Sequence, residues 1–228
     1  MHPIRWPAER VRFTAASLAL GILITLPAIA ESTDGSSSPS GAALLATIVS
    51  SHATLRSYAA TIKADFKEHS FPFVRLGIDG SAYYRAPDQY AVVFRNAPSY
   101  MKGFAQGYAI MMDTGSWHRY FSVAAMPDRT SGGRLEHVLR LTGLDPKGFL
   151  HHGDIFIDAA TNDITEMNWL MSNGMTFFIQ QTYEQMPSGF HVVKEQHATF
   201  HVPFAHGTAT MTLADYHCNV AISDEVFE

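Results

Sequence analysis

The chain has 228 residues with 16 basic and 21 acidic side chains, a formal charge of −5, 46% hydrophobic residues and one cysteine, Cys218. That balance is too acidic for a nucleic-acid partner, and a single thiol forms no internal disulfide. The fold must therefore be held by burial of apolar surface alone.

Arg5, Arg10 and Arg12 precede an apolar run from Phe13 to Leu26, and Ala28-Ile29-Ala30 then offers small residues for cleavage. This is the layout of a secretory signal peptide, expected over residues 1–30. The run is shorter than the about 20 residues that a spanning helix needs, with an uncleaved anchor as the alternative. Cleavage leaves 198 residues with 13 basic against 20 acidic side chains, in the periplasm or otherwise outside the cytoplasm. Residues 31–40, ESTDGSSSPS, are Ser-rich and polar and read as a flexible linker. The folded domain is expected over 41–228.

Leu44, Leu45, Ile48, Val49, His52 and Leu55 follow helical spacing over 42–55, with Ser40 placed to cap the start. The period then changes to two. Ala60, Ile62, Ala64 and Phe66 alternate with Thr61, Lys63, Asp65 and Lys67, the signature of an antiparallel strand with one wet face. Leu76, Ile78, Ala82 and Tyr84 repeat the pattern, Ala86-Pro87-Asp88 breaks it, and another strand runs from Gln89 to Arg95. Further strands are predicted at 107–112 and 116–123. A second helix is predicted over 131–143, where Leu135, Val138, Leu139 and Thr142 share a helical face between Ser131 and Gly143. Strands resume at 153–158, 164–171 and 175–183, and turns near Pro187-Ser188-Gly189 and Pro203 complete two more hairpins.

About ten strands and two or three helices give an α+β domain. Its large curved antiparallel sheet would form an incomplete β-barrel, with the helices covering the concave face. Such a shape leaves an apolar interior for a guest.

The order of these elements resembles a known family. An export signal and a first helix ending in Leu55-Arg56-Ser57-Tyr58 are followed by a strand pair that leads to Gly80-Ser81-Ala82-Tyr83-Tyr84-Arg85-Ala86-Pro87-Asp88 and by a mid-chain helix. Later come Ile155-Phe156-Ile157-Asp158, Asp163-Ile164-Thr165-Glu166-Met167 and Asp215-Tyr216-His217-Cys218-Asn219-Val220. Together they are similar to the periplasmic outer-membrane lipoprotein-sorting proteins, the LolA/LolB-like family. The resemblance implies an eleven-stranded half-barrel with a helical lid, whose concave apolar face holds acyl chains, and it does not imply an enzyme. The tract from Asn96 to Gly107 departs from an ordinary strand connection.

The residues expected to face inward and line a ligand site are Ile62, Phe66, Leu76, Ile78, Tyr84, Val92, Phe94, Ile110, Met112, Trp169, Phe177 and Ile179. Ordinary core packing is the competing account of each. Ten methionines suit a variable guest or an adaptable core equally.

Twelve histidines are the main argument for chemistry, but their spacing is poor. His151 and His152 would point to opposite faces of a strand, a turn is expected between His191 and His197, and His201 and His206 flank Pro203. No H-E-x-x-H pattern or G-x-S-x-G elbow is present. The acids Asp154, Asp158, Asp163 and Glu166 read as exposed strand ends. No catalytic residue, metal site or cofactor is therefore expected.

The sequence thus predicts a non-catalytic carrier or sensor for a lipid, acyl chain or lipoprotein, with an envelope protein as a possible partner. One alternative is a solid-cored interaction module that uses Tyr83, Tyr90, Tyr120 and Tyr183 as contact aromatics. The other is an exported hydrolase or metal enzyme, which rests on histidine number alone.

Overall fold

Ten strands join in one antiparallel sheet in the computed structural model, which describes residues 40–70, 73–95, 97, 101–203 and 205–227. The expected leader and all but the last residue of the expected linker lie outside the described residues. In chain order the elements are α1 (Gly41–Ser51), β1 (Ser57–Glu68), β2 (Arg75–Arg85), β3 (Gln89–Arg95), α2 (Met101–Met112), α3 (Trp117–Tyr120), β4 (Phe121–Ser131) and β5 (Arg134–Gly143). Then follow β6 (Leu150–Asp158), β7 (Ile164–Met171), β8 (Thr176–Gln185), β9 (His191–Val202) and β10 (Ala205–Cys218). Short 3-10 turns occupy Thr114–Ser116 and Asp224–Val226.

The sheet order is β3-β2-β1-β10-β9-β8-β7-β6-β5-β4. All neighbours but one are joined by hairpins, and the exception is β1 beside β10, which runs from Tyr58 opposite Cys218 to Glu68 opposite Gly207. The two edges, β3 and β4, do not pair, so the half-barrel stays open. Yet β3 and β4 are consecutive in the chain, and the segment between them carries α2 and α3. This link therefore runs from one edge of the sheet to the other.

Core residues alternate along the strands as period two requires: Ile155 and Ile157 on β6, Met167, Trp169 and Met171 on β7, Phe177 and Ile179 on β8. The helices close over the same face with Leu44, Leu45 and Ile48 from α1 and with Tyr108, Met111 and Trp117 from the connecting segment. The Ser40 hydroxyl accepts from Ala43 N at 3.2 Å and caps α1 as expected. Gly41 opens the helix because it docks on β4, where a Cβ would lie 2.6 Å from the Val123 carbonyl oxygen.

Three sequence expectations are corrected. Residues 107–112 are the end of helix α2, not a strand, so Met112 reaches the interior from above the sheet while Ile110, two places earlier, turns to another side of the helix. Tyr108 and Met111 are the buried pair, at helical spacing, and Trp117 Nε1 donates to the Ile110 carbonyl at 3.1 Å. The strand expected at 116–123 begins at Phe121. The helix expected over 131–143 is strand β5: Val138 and Leu139 are both buried because both faces of the strand are covered there, and such a doublet imitates helical spacing. Gly132 and Gly133, with φ of 57° and 79°, form the two-residue hairpin turn that joins it to β4. The described residues thus hold ten strands where the resemblance implies eleven.

Candidate functional site

Between α1, α2 and the sheet lies a cavity of about 140 Å³. Its roof is Ile48, Val49 and His52 at the end of α1 together with Met111 and Met112 at the end of α2. Its floor is drawn from across the sheet, with Tyr58, Tyr84 and Leu213 on one side and Met167, Val193 and Gln196 on the other. Met111 and Gln196 also line a smaller void of about 30 Å³, walled by Phe66, Phe177, Ile179 and Phe200.

Of the twelve residues expected to line a site, Tyr84 and Met112 line the larger cavity, and Phe66, Phe177 and Ile179 the smaller. Ile62, Ile78 and Trp169 are buried in the core and line neither, and Leu76, Val92 and Phe94 are partly buried away from both. Ile110 faces a separate groove beside Asp113 and Tyr120.

Sequence reasoning missed a polar chain that crosses this apolar floor. The Tyr108 hydroxyl on α2 donates to Gln196 Oε1 on β9. Gln196 Nε2 donates to Gln181 Oε1 on β8 at 2.8 Å, and Gln181 Nε2 donates to the Tyr183 hydroxyl at 2.6 Å. That hydroxyl in turn bridges the backbone N and O of Ile164, each at 3.2 Å. Each side-chain polar atom of Tyr108, Gln196, Gln181 and Tyr183 has a partner, as a dry environment demands. Burial pushes the phenols of Tyr58, Tyr90, Tyr108 and Tyr183 upward, so they remain neutral donors. The sequence signal was available: Gln181 and Gln196 sit at inward positions of amphipathic strands.

At the mouth of the cavity stand His52 and His191, on either side of Asp163. The Asp163 side chain is only 6% exposed and holds His191 Nδ1 at 2.8 Å, with His52 Nε2 at 4.0 Å. The Tyr183 ring stacks on His191 with centroids 5.3 Å apart. Burial lowers the His52 pKa, opposed in part by the Asp163 charge.

Other histidines and acids depart from expectation. A register shift in β6 between Leu150 and His152 brings the His151 and His152 rings into contact rather than to opposite faces. His191 and His197 lie on one strand, β9, with no turn between them. His201 and His206 face each other across the β9–β10 hairpin. Asp158 and Asp163 are buried, and Asp158 caps the β6–β7 turn by accepting from Ala160 N at 2.8 Å. Asp154 pairs with Arg140 at 2.7 Å and Glu166 with Arg129 at 3.2 Å. Among the described residues no three His, Cys, Asp or Glu side chains converge on a metal-sized site. Of the four tyrosines considered as contact aromatics only Tyr120 is exposed, at 47%, whereas Tyr90 and Tyr183 line the cavity.

No family model matches the chain, and none of the curated proteins matches it. Solved structures do. A DUF1329 family protein from Desulfovibrio piger has a TM-score of 0.64 at 12% identity, over 82% of this chain and 95% of that one. A putative outer membrane lipoprotein-sorting protein domain from Vibrio parahaemolyticus has a TM-score of 0.61 at 9% identity, over 82% and 95%. A LolA superfamily protein from Nitrosomonas europaea has a TM-score of 0.61 at 8% identity, over 84% and 98%. The fold is LolA-like. In this LolA-like frame the cavity lies where the concave face of the open sheet meets its helices.

Proposed function

We propose that the chain is an exported, non-catalytic carrier or sensor, which holds an acyl chain or lipidated protein between the sheet and its helices. In this reading residues 1–30 are the cleaved leader, residues 31–40 the linker, and residues 41–228 the carrier domain. The observation that carries it is the cavity under α1 and α2, walled largely by Ile, Val, Leu, Met and Tyr side chains. Pockets that enclose a drug-sized ligand measure roughly 300–1,000 Å³. At about 140 Å³ this cavity has room for part of a guest.

Opening falls to α2. It belongs to the link between the two sheet edges, so it can lift away without breaking a strand pairing. Burying a 14-carbon chain gains on the order of 10 kcal/mol before ordering costs, at about 0.8 kcal/mol per methylene. That gain needs no strong polar anchor. The lipoprotein-sorting domain among the structural neighbours supports the same class of cargo.

The test is to purify the mature domain natively, extract it with organic solvent and analyse the extract by mass spectrometry. A copurifying lipid, together with displacement of a bound fluorescent fatty acid, is the expected result. Val193→Phe, which adds a ring to the cavity lining, is expected to weaken fatty-acid capture about tenfold. No lipid and no fatty-acid binding would refute the carrier reading.

A further inference from the structure

The carrier reading leaves the mouth of the cavity without a role, and its chemistry is specific. Asp163 is a buried carboxylate whose ion-pair partners are the imidazoles of His191 and His52, and among the described residues no Lys or Arg pairs with it. Its Oδ2 fixes His191 through Nδ1 at 2.8 Å. Its Oδ1 is buried without a hydrogen-bond partner, 4.0 Å from His52 Nε2. Asp163 does not itself line the cavity, whereas both imidazoles do. Since Nδ1 of His191 is committed to the carboxylate, its Nε2 is the nitrogen left for a guest.

We infer that His52 and His191, backed by Asp163, form an oxyanion anchor, and that the cargo is an amphiphile with an acidic head group, a carboxylate or a phosphate. This rests on the carrier reading, because the head can reach the imidazoles only when its tail occupies the cavity below them.

Electrostatics selects the head group. Burial lowers the His52 pKa, so that imidazole gains a proton when the oxyanion arrives, while His191, oriented by the Asp163 carboxylate on Nδ1, meets the ligand through Nε2. His52 contributes a second N–H from the end of α1. An alcohol head forms only a neutral hydrogen bond there, and a charge-assisted bond is the stronger of the two. A quaternary cation faces imidazole rings and cannot reach the buried Asp163 oxygen. Binding therefore takes up a proton. The titratable groups facing His191 are Asp163 from the β6–β7 turn, His52 beyond α1 and Tyr183 from β8. Glu184 and Lys194 pair with each other at 3.9 Å.

The experiment compares four ligands that share a dodecyl tail: the carboxylate, the phosphate, dodecanol and the trimethylammonium salt. Calorimetry of the mature protein is run near pH 6.5, the ordinary histidine value, in PIPES and in bis-Tris. The acidic heads are expected to bind at least about tenfold tighter than dodecanol, with heats that differ between the buffers because protons are taken up. His191→Gln is expected to remove that preference, so that the acidic heads and dodecanol bind alike. Equal affinity of dodecanol and the acids, preference for the cation, or a preference that survives in His191→Gln would overturn the anchor. The wild-type ranking decides the matter even if the variant does not fold. Binding of none of the four would instead refute the carrier reading beneath it.

Discussion

Gly153 on β6 and Trp169 on β7 are direct cross-strand partners, and a Cβ on Gly153 would lie 2.5 Å from the indole Cε3. The ring has nowhere to retreat, since Trp117 meets it edge-on at 6.1 Å and Phe121 at 5.6 Å between centroids. Gly153→Ala is therefore expected to lower stability by about 1–3 kcal/mol through overpacking. Urea unfolding measures this, and an unchanged midpoint would show that the indole is not held in place.

Arg129 on β4 ties three strands together. Its Nε meets Glu136 Oε2 on β5 at 2.6 Å, its other arm meets Glu166 on β7 at 3.2 Å, and its plane covers the Phe156 ring at 3.4 Å. Lysine has neither the fork nor the planar face. Arg129→Lys is expected to cost about 1–2 kcal/mol, and Arg129→Met about 2–4 kcal/mol because the buried Glu136 charge loses its partner. The order of the two unfolding midpoints is the check.

The Tyr108 hydroxyl joins the helical lid to Gln196 in the sheet. Tyr108→Phe keeps the ring and removes that bond, at an expected cost of about 1 kcal/mol. The loss falls on α2. Hydrogen exchange should accelerate there while β6 to β8 stay protected, and uniform acceleration across the sheet would argue against an independently moving lid.

His52 gives a pH dependence of definite sign. Its pKa is lower in the fold than in the unfolded chain, chiefly through burial. Between about pH 6.5 and the folded value the unfolded chain binds more protons, so stability falls as the solution becomes more acidic across that window. His52→Gln cannot titrate, and its stability should decline less than that of the wild type over the same range. Parallel curves for the two proteins would contradict the assignment.

Strands with one wet face were legible because alternation such as Ile62-Lys63-Ala64-Asp65-Phe66 admits no other period. Helix α2 and strand β5 were not, for opposite reasons. Tyr108, Ile110 and Met112 are apolar at every second place by coincidence, whereas the helix buries Tyr108 and Met111. On β5 the neighbours Val138 and Leu139 are both buried, which broke the alternation, although Gly132-Gly133 marked the hairpin in plain sight. At the cavities, Phe66, Tyr84, Met112, Phe177 and Ile179 of the expected residues are present, but the polar members were not anticipated. Gln181 and Gln196 fell at inward positions of their strands, but Asp163 gains its meaning only from partners on other elements.

The pairing of β1 with β10 also fixes when the protein becomes whole. Asn219, at a φ of 55°, accepts from Arg56 N at 2.7 Å, and its own N–H donates to the Ser57 carbonyl at 2.7 Å, which fastens the start of the first strand to the end of the last. A nascent polypeptide makes β1 early and must wait for β10 until every strand between them has been delivered. Until then the three leading strands and the later hairpins are two separate ribbons, each with an open border. Contacts so distant along the chain form slowly, so completion of the sheet waits on the arrival of β10.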